Sequence, residues 1–105
     1  MGVNRSTLGR FSAPRLLILV SLAGGDKHSY AMLIDAHETF GVTLGPRTLN
    51  GAIDGLEQQG LIETVLSSDR HPPYRITASG VKELKEQLAN MQWFTATALE
   101  RLATR

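Results

Sequence analysis

The segment Leu44–Ile62, LGPRTLNGAIDGLEQQGLI, constrains the chain most. Leu49, Ala52, Ile53 and Leu56 recur at i, i+3, i+4 and i+7, the period of one helical face. Pro46 fits the first turn, where its missing N–H would be unpaired anyway. Gly60 is placed to take the left-handed backbone that closes a helix. The spacing therefore predicts a short helix with an apolar inner face. Its outward front end carries Arg47, Thr48, Asn50 and Gly51. Small groups allow close approach, hydrogen-bonding groups can read base edges, and a helix N-terminus favours phosphate. This is the layout that a helix entering a DNA groove requires.

At 105 residues the chain predicts one domain with a modest core. An apolar fraction of 42% and a charged fraction of 20% fit an ordinary globular protein. There are no cysteines, which excludes disulfides and thiolate metal sites and is compatible with a reducing cytosol. The longest apolar run, Leu16–Val20, is far short of the roughly 20 residues that span a bilayer. No apolar signal core precedes it. A net charge of +1 neither suggests nor excludes nucleic acid.

Residues 1–12 are polar and aperiodic, and are expected to form a flexible arm. Ser12 is placed to cap a helix with Pro14 in its first turn, ending near Ala23. That helix is apolar nearly all round, which predicts cover on two sides and hence a partner subunit. Gly24-Gly25-Asp26 reads as a turn. A second helix, capped by Ser29 and stopped by Gly41, places Tyr30, Leu33, Ile34 and His37 on one face. After the Leu44–Gly60 unit, Leu61–Leu66 and Tyr74–Thr77 are β-prone. They predict a hairpin whose loop is too long for a tight turn.

From Thr77 to about Ala103 the pattern is helical again. Val81, Leu84, Leu88, Met91, Thr95, Ala98 and Leu102 alternate three and four apart, a heptad seam weakened by Thr95 and Ala98. Ala89, Trp93 and Ala96 lie on the other side. Three helices, a hairpin and a long terminal helix define a mainly α fold with a small β-hairpin (α+β). The architecture is a winged helix-turn-helix with a C-terminal dimerisation helix.

Three stretches go further: LLILVSLAGGDKHSYAMLIDA, LGPRTLNGAIDGLEQQGLIE and DRHPPYRITASGVKEL. Together, over roughly residues 15–90, they resemble the PadR family of bacterial transcriptional regulators. LGPRTLNGAI is similar to the family's LGPGTLYGAL, YRITASG to its YRLTPAG, and His28-Ser29-Tyr30 to its HGY. Two departures are visible. Asn50 stands where the family has an aromatic residue. Asp69-Arg70-His71-Pro72-Pro73 stands where the wing tip is often a run of arginines and lysines, and each absent cation removes a phosphate contact.

For DNA the candidate residues are Arg47, Thr48, Asn50 and Gly51 on the helix and Arg70, His71 and Arg75 on the wing. Arg47 can read guanine or hold a phosphate, and Asn50 can pair with adenine. The alternative for each is a solvated surface side chain. Asp54 and Glu57 would repel DNA and mark the outward limit of the reading face. The dimerisation candidates are Leu16 and Val20 on the first helix with Val81, Leu84, Leu88, Met91 and Leu102 on the last. Trp93 has two readings: packing on the first helix, or lining a ligand pocket between subunits. His28, His37 and His71 lack ligand spacing, so neither metal nor cofactor is expected. No nucleophile–base pair or phosphate loop presents itself, and no enzyme activity is expected.

The expected organisation is an arm (1–12), a winged-helix DNA-binding domain (13–77) and a dimerisation helix (78–105). The expected function is a cytoplasmic, homodimeric transcriptional repressor on a palindromic operator, with double-stranded DNA and a second copy as partners and no membrane association. Two alternatives stand beside it. One is a protein-interaction module with weakened DNA binding. The other is a sensor for a small hydrophobic effector at the dimer interface.

Overall fold

A computed structural model describes residues 13–105 of the chain. The expected arm and the Ser12 cap lie outside the described residues. Helix α1 (Pro14–Ala23) is followed by α2 (Ser29–Phe40), α3 (Pro46–Gln58), strands β1 (Ile62–Thr64) and β2 (Tyr74–Ile76), and α4 (Ala78–Ala103). The fold is mainly helical with one antiparallel hairpin, as the sequence pattern predicts.

One core joins every element. Ile18, Leu19 and Leu22 of α1 meet Met32 of α2, Leu49, Ile53 and Leu56 of α3, Ile62 of β1 and Leu84 of α4. Helix α1 sits at the centre, in contact with α2, α3, α4 and β2. This corrects the expectation that an all-round apolar α1 needs a partner subunit. The domain itself buries Leu17, Ile18, Leu19 and Leu22, and Leu16 and Val20 are partly buried against the same core. A central helix is apolar on every side whatever the oligomeric state.

Two further expectations change. The N-cap of α2 is His28 rather than Ser29, and no side chain caps it. The face of α2 that enters the core carries Met32 and Ala36, while Tyr30 and Ile34 are exposed. Tyr30, Leu33, Ile34 and His37 instead border an open groove with Thr43 and Leu44.

Helix α3 begins at Pro46 and ends in a Schellman closure. The Gly60 N–H donates to Glu57 O (3.0 Å) and the Leu61 N–H to Leu56 O (3.0 Å), with Gly60 at φ 74°. Leu61 is spent on that closure, so β1 starts at Ile62. The hairpin pairs Ile62 with Ile76, Glu63 with Arg75, and Thr64 with Tyr74. Pro72 and Pro73 have no N–H to donate, which ends the ladder beyond Tyr74 apart from one bond, Val65 N–H to Pro73 O (2.8 Å). Lys27 exchanges both backbone bonds with Tyr74 (3.1 and 2.9 Å) and pins the hairpin to the α1–α2 turn.

Thr77 joins the hairpin to α4. Its hydroxyl accepts from the Gly80 N–H (3.0 Å) as an N-cap and donates to Gly60 O (2.6 Å). Its backbone N–H donates to Leu61 O (3.0 Å). Gly80 is buried against the same carbonyl: a Cβ there would lie 2.1 Å from Leu61 O and 2.7 Å from Ile76 Cγ1. Close approach therefore requires glycine at this position. Beyond Leu84 the helix runs clear of the core, and the molecule measures 58 × 26 × 21 Å.

Candidate nucleic-acid interface

The inner face of α3 fixes the outer one. With Leu49, Ile53 and Leu56 buried, the helical period turns Arg47, Thr48, Asn50, Gly51 and Asp54 to solvent. All four residues expected on the reading face are therefore exposed on the first two turns of α3. Nothing lies within 4 Å of a Cβ built on Gly51, so its surroundings are open.

Arg70 and His71 are exposed in the loop between the strands. His71 and Asn50 line one cleft of about 260 Å³ with His28, Ser29, Pro72 and Tyr74. The front of α3, the loop of the hairpin and the start of α2 thus converge. Sequence reasoning gave His28 and Ser29 no part in this face. The nearest signal was their place at a helix N-terminus.

Arg75 alternates outward on β2, as expected, but its Nε lies 3.9 Å from Glu63 Oε2, the residue opposite it in register. A phosphate would have to compete with that carboxylate. Asp69 also faces inward across the wing, with Oδ2 3.9 Å from His28 Nε2. The Tyr74 phenol is held above its ordinary pKa, first by burial and then by the nearby charges of Glu57 and Asp54. Arg15, unassigned from sequence, donates to Gln59 Oε1 and ties α1 to the end of α3.

Helix α4 forms a second surface. Val81, Leu88, Met91 and Leu102 of the predicted seam are exposed, but Leu84 is only 6% exposed and belongs to the core. It lies close enough to the helix start to be covered by the domain, so it is removed from the dimerisation set. Phe94 and Leu99, which strict heptad spacing missed, flank the seam and are exposed as well. Trp93 is 69% exposed and does not pack on α1 of its own chain, which leaves it free for the first helix of a partner or for a ligand. It borders an open groove along α4 with Phe94, Thr97, Arg101 and Leu102.

Among the described residues no group of three or more metal-binding side chains occurs, and no helix is long and apolar enough to cross a membrane.

Core, hairpin and outward helix define the winged helix-turn-helix class. Among the solved structures that resemble this chain are PadR family regulators. A PadR family transcriptional regulator from Eggerthella lenta is 24% identical, with a TM-score of 0.77 over 94% of this chain and 88% of that one. A PadR family regulator from Clostridium difficile is 19% identical, with a TM-score of 0.76 over 87% of this chain and 99% of that one. The PadR resemblance of the sequence thus extends to the fold. No protein-family model matches the chain. One curated relative, an uncharacterized 37.1 kDa protein in a transposon of Streptomyces fradiae, is 29% identical over 91 residues. The match takes in 87% of this chain but only 26% of that protein's length.

Proposed function

We propose that the chain is a DNA-binding transcriptional regulator of the PadR type, acting as a homodimeric repressor on a palindromic operator. The observation that carries this reading is the convergence of the exposed front of α3 with the wing. Asn50 and His71 share one cleft, and Arg47, Thr48 and Gly51 extend the same helix face. Small and hydrogen-bonding groups at a helix N-terminus suit base edges and phosphates. Pairing through the exposed α4 seam would set two reading helices about 34 Å apart, one turn of duplex. The repressor assignment rests on fold analogy.

Selection of duplexes from a random library tests the reading. Arg47→Ala should weaken binding to the selected duplex by about 1–3 kcal/mol and relax preference at one base pair. Arg70→Ala should weaken all sequences alike and lower the salt slope by about one per half-site. Failure of both variants to change affinity overturns the DNA-contact assignment.

The exposure of Trp93 beside Phe94 favours a second activity, the sensing of a flat hydrophobic effector between subunits. Planar aromatic compounds should then quench Trp93 fluorescence and alter operator affinity. Quenching without any change in affinity would remove the regulatory role.

A further inference from the structure

We infer that the wing tip carries an internal competitor for DNA: the Asp69 carboxylate engages His28, a donor that would otherwise serve a backbone phosphate. This rests on the DNA-binding reading above and adds a regulatory contact to it.

The cleft shared by α2, α3 and the wing gathers donors: the His28 and His71 rings, the Ser29 hydroxyl and the Asn50 amide. A phosphate oxygen and a carboxylate oxygen make the same demand on such groups. Asp69 already supplies the carboxylate, with Oδ2 3.9 Å from His28 Nε2. Its backbone is held in place, since the Asp69 N–H donates to Ser67 Oγ (3.0 Å). The other ion contact among the described residues, Arg75 with Glu63, stays within the hairpin. Of these two ion contacts, the Asp69 one runs from the wing to the helical body.

Its strength suits a competitor. The His28 and Asp69 side chains are 54% and 60% exposed, so water screens the pair and a duplex can displace it. In the free protein Asp69 sets a carboxylate beside His28 and adds a negative charge where the duplex backbone would approach. A duplex whose path reaches the cleft displaces the carboxylate and gains His28. One that passes outside it meets the acid and gains nothing.

The test measures affinity of the full chain for a selected duplex by fluorescence anisotropy at fixed salt. Asp69→Asn should tighten binding about two- to fivefold, the range of an exposed ion pair. In a His28→Gln background that gain should fall to the size of the charge effect alone. Asp54→Asn, which removes an exposed acid from α3, reports the general effect of charge and should act equally in both backgrounds. An equal Asp69→Asn gain with and without His28 would reduce the effect to charge alone and overturn the inference. So would weaker binding by Asp69→Asn, because Asp69 would then be holding the wing in its binding pose. Absence of duplex binding by every variant, even at low salt, overturns the DNA reading itself and the inference with it.

Discussion

Leu88→Asp is expected to convert the protein from a dimer to a monomer and to abolish specific DNA binding in the same step. Val81, Leu88, Met91 and Leu102 lie along one side of α4, with Phe94 and Leu99 flanking them, and all are exposed in a single chain. Burying a leucine-sized side chain is worth roughly 1.5–3 kcal/mol, so several partly exposed ones sum to a stable interface. An aspartate at the middle of that seam would be buried without a partner, which costs far more than the lost methyl groups return. Leu88 lies beyond Leu84, the last buried residue of the chain, so the fold should survive. Sedimentation should show the parent as a dimer at micromolar concentration and the variant as a monomer with unchanged helicity. A parent that sediments as a monomer would end the dimer reading. A monomeric variant that still binds a palindrome as tightly as the parent would end the link between dimer and operator.

Gly80→Ala is expected to cost about 3 kcal/mol of stability, at the upper end of overpacking effects. For a domain of this size that lowers Tm by roughly 10–25 °C. The reason is local and severe. The new Cβ would stand 2.1 Å from Leu61 O, and that atom is backbone already bonded to the Thr77 N–H. Relief would require moving the junction that closes α3 and opens the hairpin. Gly51→Ala provides the contrast. Its Cβ would meet nothing within 4 Å, and alanine favours a helix interior over glycine by about 0.5–1 kcal/mol. That variant should melt at or above the parent while binding DNA less well, because on the proposed reading the methyl group would stand where the groove approaches. Equal melting temperatures for Gly80→Ala and the parent would show that the junction yields easily.

The sequence was most legible where the chain punctuates itself. Pro46 and Gly60 bound α3, Thr77 opens α4, and a single apolar stripe on α3 left no choice about its outward face. Helix α2 shows the opposite case. It carries two overlapping apolar stripes, and periodicity cannot tell which one faces inward. Contacts with α1 and α3 decide for Met32 and Ala36. The all-round apolar α1 suggests a partner in sequence because sequence does not reveal that four other elements contact it. Within the candidate site, the α3 residues followed from helical phase alone. The meeting of His28 with Asp69 did not, since it joins residues 41 apart through the placement of the wing against the start of α2.

The Thr77 hydroxyl has a mechanical consequence. It grips Gly60 O, just past the end of α3, and the first turn of α4 through Gly80 N–H. One side chain thus works as a fulcrum between the part that would touch DNA and the long arm that would touch a second copy. A tilt of about 5° there displaces the far end of α4, about 39 Å long, by roughly 3 Å. The same leverage runs in reverse. In a dimer of the proposed kind, a small change in how the two arms cross would be delivered at the fulcrum as a change in the aim of both α3 helices, with no rearrangement inside either domain.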